Sequence, residues 1–162
     1  HEVLTSQPLS QVLDLDWDYQ ICSIQPAISY DFLVGWTKEP AISSDLIRQV
    51  KGAINEVFLK ESQSAVKILE KGLREGNQKE IETSIKRADK NLKSLNPLIY
   101  TPALKVLQKA TEGLSACAKS SGAGGGDCGI ALSFDPVETQ TLIDRWKDKN
   151  IEVIYQERMG DS

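Results

Sequence analysis

"AKSSGAGGGDCGIALSF", residues 118–134, holds five glycines in the eight positions Gly122–Gly129 and then turns apolar. Consecutive glycines reach positive φ without steric cost and leave no Cβ between the backbone and a ligand. Their N–H groups can then turn inward as a nest for an anion. Lys119 adds a cation, and Ser120 and Ser121 add hydroxyl donors. The alternative is a plain turn, but a turn needs one or two glycines, and five carry an excess cost in chain entropy.

Two familiar glycine motifs fail here. Gly124, Gly126 and Gly129 satisfy G-x-G-x-x-G, a fingerprint that follows a strand and opens a helix. In this chain the periodicity predicts a helix before the loop and a strand after it, so the order is reversed. A Walker-type phosphate loop closes on Gly-Lys-Ser/Thr, whereas Gly126 is followed by Asp127 and Cys128. What remains is a helix-to-strand phosphate nest.

Working outward, "GIALSF" alternates Ile130, Leu132 and Phe134 as a strand does, and Asp135-Pro136 opens a helix through Leu142, Ile143 and Trp146. "NIEVIYQ", 150–156, reads as the last strand. Upstream, Leu104, Leu107, Thr111, Leu114 and Ala118 form one stripe of a helix begun at Pro102. Ile81, Ile85, Ala88, Leu92 and Leu95 mark another. Ala65, Val66, Leu69 and Leu73 mark a third, stopped by Gly76-Asn77. Ser43 and Ser44 suit an N-cap for a helix carrying Leu46, Val50, Ile54 and Val57, with a break expected at 59–62. "SYDFLVGWT", 29–37, is a strand with Tyr30, Phe32, Val34 and Trp36 on one face. Residues 17–25 read as a further strand and 9–17 as a short helix or turn. The fold class is α+β: a small antiparallel sheet of about four strands, ferredoxin-like, covered by helices packed in the simplest case on one face.

A second anion candidate is "GWTKEPAISS", 35–44, which joins a strand to a helix N-terminus. There Ser43 either caps the helix or meets a phosphate, and Lys38 is a local cation. If both loops end on one edge of the sheet, they share one ligand.

Composition bounds the function. The chain has 162 residues, 40% hydrophobic and 26% charged, with net charge −4. That fits one globular domain and argues against a general nucleic-acid binder. No apolar run approaches the ~18 residues of a membrane span. Cys22, Cys117 and Cys128 are scattered, without a CxxC pair, as in a reduced cytoplasmic protein. The only histidine is His1, so triad and histidine-metal chemistry have no basis. The alternating charges of 60–93 read as a solvated helix surface.

"AKSSGAGGGDCGIAL" together with "DFLVGWTKEPAISS" and the ending "IEVIYQERMG" resembles the GHMP small-molecule kinases, and among them the bacterial phosphomevalonate kinases, over about 12–160. The resemblance implies transfer of the ATP γ-phosphate, with Mg2+, to 5-phosphomevalonate, giving 5-diphosphomevalonate for isoprenoid synthesis. It implies a substrate- and phosphate-binding set of Lys119, Ser120, Ser121, Gly122, Ala123, Gly124 and Ser43, with Ser121 and Ala123 nearest the acceptor phosphate. Asp127 and Cys128 match the motif in structural roles. No metal ligand and no catalytic residue is carried over. The family's N-terminal domain, with its "GLGSS"-type ATP loop, has no counterpart in the sequence. The chain, opening on His1, is therefore expected to be a GHMP C-terminal domain over 1–162, inactive alone. It is also expected to be prone to homodimerise through the face its partner domain would cover. Other readings are a stand-alone anion- or metabolite-binding module, and another kinase or a decarboxylase of the superfamily.

Overall fold

The computed structural model describes residues 21–40, 48, 50, 52–122 and 124–160. Four strands make one sheet: β1 (Tyr30–Trp36), β2 (Ala116–Ser120), β3 (Cys128–Ser133) and β4 (Glu152–Met159). Their order is β2-β3-β1-β4, and every neighbouring pair is antiparallel. Four α-helices lie wholly within the described residues: α1 (Glu56–Glu75), α2 (Gln78–Leu95), α3 (Pro102–Lys109) and α4 (Pro136–Asp148). Helices α1 to α3 join β1 to β2, and α4 joins β3 to β4. This is the split β-α-β arrangement of a ferredoxin-like sheet.

Period-2 alternation sends neighbouring strand residues to opposite faces, and both faces are buried. On one, Leu33, Ala116 and Ala131 pack with Leu107, Leu142, Trp146 and Ile151. On the other, Tyr30, Cys117 and Leu132 pack with Ile81 and Ile85, with Phe32, Leu69 and Leu73 around them. Helices α3 and α4 cover the first face, and the α1–α2 hairpin covers the second. The expectation of helices on a single face is corrected: β1 is apolar on both sides, with Leu33 as deeply buried as any residue.

Trp146 is the anchor of the α4 face. Its ring is fully buried, and its indole N–H donates to the Leu107 carbonyl at 2.9 Å, tying α4 to α3. Arg145 reinforces the joint by donating to the carbonyls of Ala110 and Glu112, both at 2.8 Å, where α3 ends. Asp135 caps α4 by accepting from the amides of Val137 and Glu138, so the Asp-Pro start behaves as expected. Below α4, Asp31 on β1 is nearly buried but not unpaired. It accepts from the Thr139 hydroxyl at 2.7 Å and meets Arg158 of β4 at 3.2 Å.

Three element boundaries differ from expectation. Helix α1 runs unbroken through 59–62; Asn55 caps it, accepting from the Phe58 amide at 3.0 Å, and the break lies earlier, at Gly52–Ala53. The helix begun at Pro102 stops at Lys109, and the residues through Ala118 are not its continuation. A turn ends it, with Gly113 at φ 76°, and Ala116–Ser120 pairs as a strand with β3. Small residues fit both periods, so the stripe through Thr111, Leu114 and Ala118 misled. The strand expected at 17–25 is absent from its described part: Ile21–Gln25 is irregular, and both sides of β1 are already taken by β3 and β4. The segment 9–17, the cap at Ser43 and Ser44, and residue Ala123 lie outside the described residues.

The hairpin of α1 and α2 turns at Gly76, which adopts φ 70° and bonds the Gly72 carbonyl, as the Gly-Asn stop signal predicts. Its outer surface is laced with ion pairs, among them Lys71–Glu80 at 2.6 Å and Arg87–Glu61 at 2.7 Å. The charge alternation of 60–93 is this solvated face, and each such pair contributes a few tenths of a kcal/mol.

Gly35 is required by packing. A Cβ there would lie 2.8 Å from the Trp146 ring and 3.1 Å from Ile151. Gly35→Ala is expected to destabilise the protein by about 1–3 kcal/mol through overpacking. Denaturant unfolding checks this, and an unchanged midpoint would contradict the packing described.

Candidate functional site

The glycine segment is a connection between two antiparallel strands. β2 leads into it at Ser120 and β3 leaves it at Cys128. The helix-to-strand description is thus corrected to a strand-to-strand loop. The exclusion of a dinucleotide fingerprint stands, because a strand rather than a helix follows the glycines.

The loop is held from two sides. Behind it lies the 3-10 turn Pro97–Ile99, whose Ile99 carbonyl accepts from the Gly125 amide at 2.9 Å. Beside it lies the segment that leaves β1. There Thr37 donates to the Asp127 carbonyl twice, from its amide at 2.7 Å and its hydroxyl at 2.8 Å. The Asp127 amide in turn donates to the Glu39 carbonyl at 2.6 Å. At the loop's base, the Ser121 amide and hydroxyl both reach the Cys128 carbonyl, at 3.1 and 3.0 Å.

These contacts show what the glycines are for. Gly124, Gly125 and Gly126 have φ of 80°, 83° and 132°, and Asp127 follows at 63°. Four successive left-handed residues fold the backbone into a concave run that ordinary side chains resist. A Cβ on Gly124 would lie 2.5 Å from the Ile99 carbonyl oxygen, and one on Gly126 would lie 3.0 Å from that of Glu39. Among the described residues, the amides of Gly122, Gly124 and Gly126 donate to no protein acceptor. Those three N–H groups are what the loop can offer an anion.

The side chains expected around the loop occupy different positions. Ser121 and Gly122 are exposed at its mouth. Ser120 is only 1% exposed, and its hydroxyl has no hydrogen-bond partner. Lys119 lies on the α1–α2 side, beside a groove of about 370 Å³ that also reaches Gly122 and Ile130. Its ammonium donates to the Ser120 carbonyl. Lys38 is turned to β4, paired with Glu152 at 3.2 Å. The two loops picked out in the sequence do meet, since Trp36 lies opposite Cys128 and Thr37 bonds Asp127. Ser43 and Ala123 fall outside the described residues.

Sequence reasoning missed Thr37, Ile99 and Tyr100. Thr37 was within the quoted "GWT", but its partner is a carbonyl, which no side-chain pattern reveals. Ile99 and Tyr100 sit in "NPLIYTP", visible only as a helix stop.

Burial shapes the local electrostatics. Loss of water holds the Lys119 ammonium below its ordinary value of 10.5, with the negative charge of Asp89 opposing the shift. Burial pushes the Cys117 thiol up to about 12, so it stays protonated and inert. Cys128 is also raised, by burial and by its neighbour Asp127. Among the described residues, no group of three or more His, Cys, Asp or Glu side chains converges on a metal position, and no helix is long and apolar enough to cross a membrane.

Two outcomes follow from this geometry. Gly124→Ala, forced against Ile99 at positive φ, is expected to cost about 2 kcal/mol or more and to displace the loop. Thermal unfolding together with amide exchange over 121–127 checks it, and a variant with wild-type exchange would refute the seating. For Lys119 the sign is set by its lowered folded value. Protonated and buried, it is disfavoured in the folded chain at neutral pH, and the cost is relieved as pH climbs through the folded value toward 10.5. Wild-type stability relative to Lys119→Met is therefore expected to rise as pH climbs toward 10.5. Denaturant titration of both proteins measures the difference, and a flat or falling one contradicts the burial.

No family model matches the chain. A phosphomevalonate kinase of a Streptomyces species is 36% identical over 61% of this chain and 29% of that protein. The crystal structure of Streptococcus pneumoniae phosphomevalonate kinase is 47% identical, superposes with a TM-score of 0.87, and covers 98% of this chain and 49% of that one. The same enzyme has been solved in complex with phosphomevalonate and AMPPNP. A Leishmania (L. major) mevalonate kinase shares the fold at 17% identity, with a TM-score of 0.67 over 85% of this chain and 44% of that one. The chain spans about half the length of the solved phosphomevalonate kinases it matches. In sequence and fold the chain is similar to the phosphomevalonate kinases, and it shares its fold with a mevalonate kinase.

Proposed function

We propose that this chain forms the acceptor-binding half of a phosphomevalonate kinase. The observation that carries the proposal is the 47% identity, over 98% of this chain, to a kinase solved with phosphomevalonate and an ATP analogue. The reaction assigned is attack by a phosphate oxygen of 5-phosphomevalonate on the γ-phosphorus of ATP, with ADP leaving and 5-diphosphomevalonate formed.

Phosphoryl transfer of this kind asks a protein mainly for positioning and for neutralisation of charge. The loop supports the first demand. The amides of Gly122, Gly124 and Gly126, which donate to no acceptor among the described residues, are the donors we assign to the phosphate. The Ser121 hydroxyl stands at the mouth and can turn from Cys128 toward a phosphate oxygen. Lys119 supports the second demand with an ammonium whose field is little screened because it is half out of water. Mg2+ belongs to the assigned reaction as a companion of ATP, and it supplies charge neutralisation there. The described residues of this chain present no cluster to cage it, so none is assigned to it.

We assign the ATP-holding wall of the cleft to sequence outside these residues, consistent with the half coverage of the solved kinases. We also assign a cytoplasmic setting. A homodimer through the face that the partner domain would cover belongs to the same proposal; Val57, Leu59 and Val66 are exposed apolar side chains on α1.

A coupled assay of ADP release tests the proposal. The complete gene product carrying this chain is expected to release ADP with 5-phosphomevalonate and not with mevalonate or homoserine. The 162-residue chain alone is expected to show little or no turnover. A complete protein indifferent to 5-phosphomevalonate would overturn the assignment.

A further inference from the structure

Strand β2 lies at the sheet's edge, and side chains close it instead of another strand. Pairing with β3 uses one side of β2; on the other, the Ser120 amide donates to the Tyr100 hydroxyl oxygen at 3.3 Å. The Ala118 carbonyl accepts from Gln108 Nε2 at 3.1 Å. Both side chains lead to one carboxylate. Gln108 Nε2 also donates to Asp89 Oδ1 at 2.6 Å, and the negative charge of Asp89 stands near enough to the Tyr100 phenol to help hold its proton on. Lys93 completes the group. Its ammonium donates to Asp89 Oδ2 at 2.6 Å and to Gln108 Oε1 at 3.0 Å, and stands 4.6 Å over the Tyr100 ring.

The direction of this chain of bonds is fixed. Tyr100 is nearly buried, and burial beside a carboxylate pushes its phenol up, so it keeps its proton. A neutral hydroxyl has oxygen lone pairs to accept from the Ser120 amide. Asp89 is itself only 13% exposed, and it accepts from both Lys93 and Gln108.

Tyr100 is bonded in sequence to Ile99, and Ile99 is the residue against which Gly124 and Gly125 are seated. The Tyr100 hydroxyl thus meets the loop at its start, through Ser120, and its backbone neighbour Ile99 seats the loop's middle. We propose that Asp89, acting through Tyr100, is a positioning residue that sets the conformation of the glycine loop and with it the affinity for the phosphate bound there. The affinity part rests on the phosphate-binding reading of the loop; the conformational part does not.

The test uses Tyr100→Phe, Asp89→Ala and the double variant in the complete gene product. Tyr100→Phe removes one oxygen and leaves the ring packed. Amide exchange at Ser120 and Gly125 is expected to quicken by about tenfold or more, as when a buried donor loses its partner, while amides of α1 and β4 keep wild-type rates. The KM for 5-phosphomevalonate is expected to rise by about tenfold with kcat changed by about twofold at most, the pattern of lost ground-state binding. Asp89→Ala is expected to act in the same direction, and the double variant no more strongly than the stronger single one, because the two residues form one path. Wild-type loop exchange in Tyr100→Phe overturns the proposal, as does acceleration spread evenly over the sheet, or additive effects in the double variant. Faster loop exchange with an unchanged KM overturns the affinity part. A complete protein without phosphomevalonate turnover that still shows the exchange pattern removes the kinase reading and supports the positioning role.

Discussion

Gly124 and the carbonyl of Ile99 are so close that no side chain fits between them. Much of the site follows from that constraint. The contact goes with positive φ, positive φ over successive residues curls the backbone, and along that curl alternate amides have no acceptor among the described residues. A loop seated this way has little freedom to lose when a ligand binds, which lowers the entropic cost of binding. The density of glycine in the sequence is therefore explained twice over, by the close approach of two neighbouring segments and by the donors it exposes. It does not signal a flexible hinge. The anchoring bonds to Ile99, Glu39 and Thr37 hold the loop in one shape.

Those anchors also explain why the sheet is built as it is. β1 and β3 pair in register from Asp31–Ser133 to Trp36–Cys128, which brings the chain leaving β1 beside the last loop residue. The turn Pro97–Ile99 arrives from the other direction because α2 packs along β2 and delivers it there. Two segments far apart in sequence thus clamp a third. The buried tryptophan of α4 packs against β1 from the opposite face, filling the space that Gly35 leaves empty.

Legibility from sequence followed the strength of local signals. Helices α2 and α4 carry a clear apolar stripe or an Asp-Pro cap, and both lie where expected. β1 and β3 alternate apolar residues and were read correctly. β2 was not. "SACAKS" consists of small and polar residues that suit a helix surface as well as a strand, and only pairing with β3 decides between them. The misreading carried into the site, since it made the loop a helix-to-strand connection. The glycine motif itself pointed to the right place because its composition is too costly for an ordinary turn. Its clamps were invisible, because Ile99, Glu39 and Asp127 act through main-chain carbonyls, which a side-chain pattern does not reveal.

Lys119 shows stability and binding pulling in opposite directions at one residue. Its ammonium sits partly out of water beneath the α1–α2 hairpin, where the charged form is disfavoured and the carboxylate of Asp89 offsets only part of that cost. An uncharged side chain of similar length would suit the fold better on this count. The same loss of water makes the charge more effective toward a nearby anion, since screening falls with it. A lysine in so unfavourable a position is understandable if the anion that relieves it is the bound phosphate rather than a permanent neighbour. The fold then carries a modest penalty in the empty state that ligand binding removes. On that view Asp89 has two tasks, partial compensation of Lys119 and orientation of Tyr100. These tasks are compatible because a carboxylate with several acceptor sites can serve both without moving.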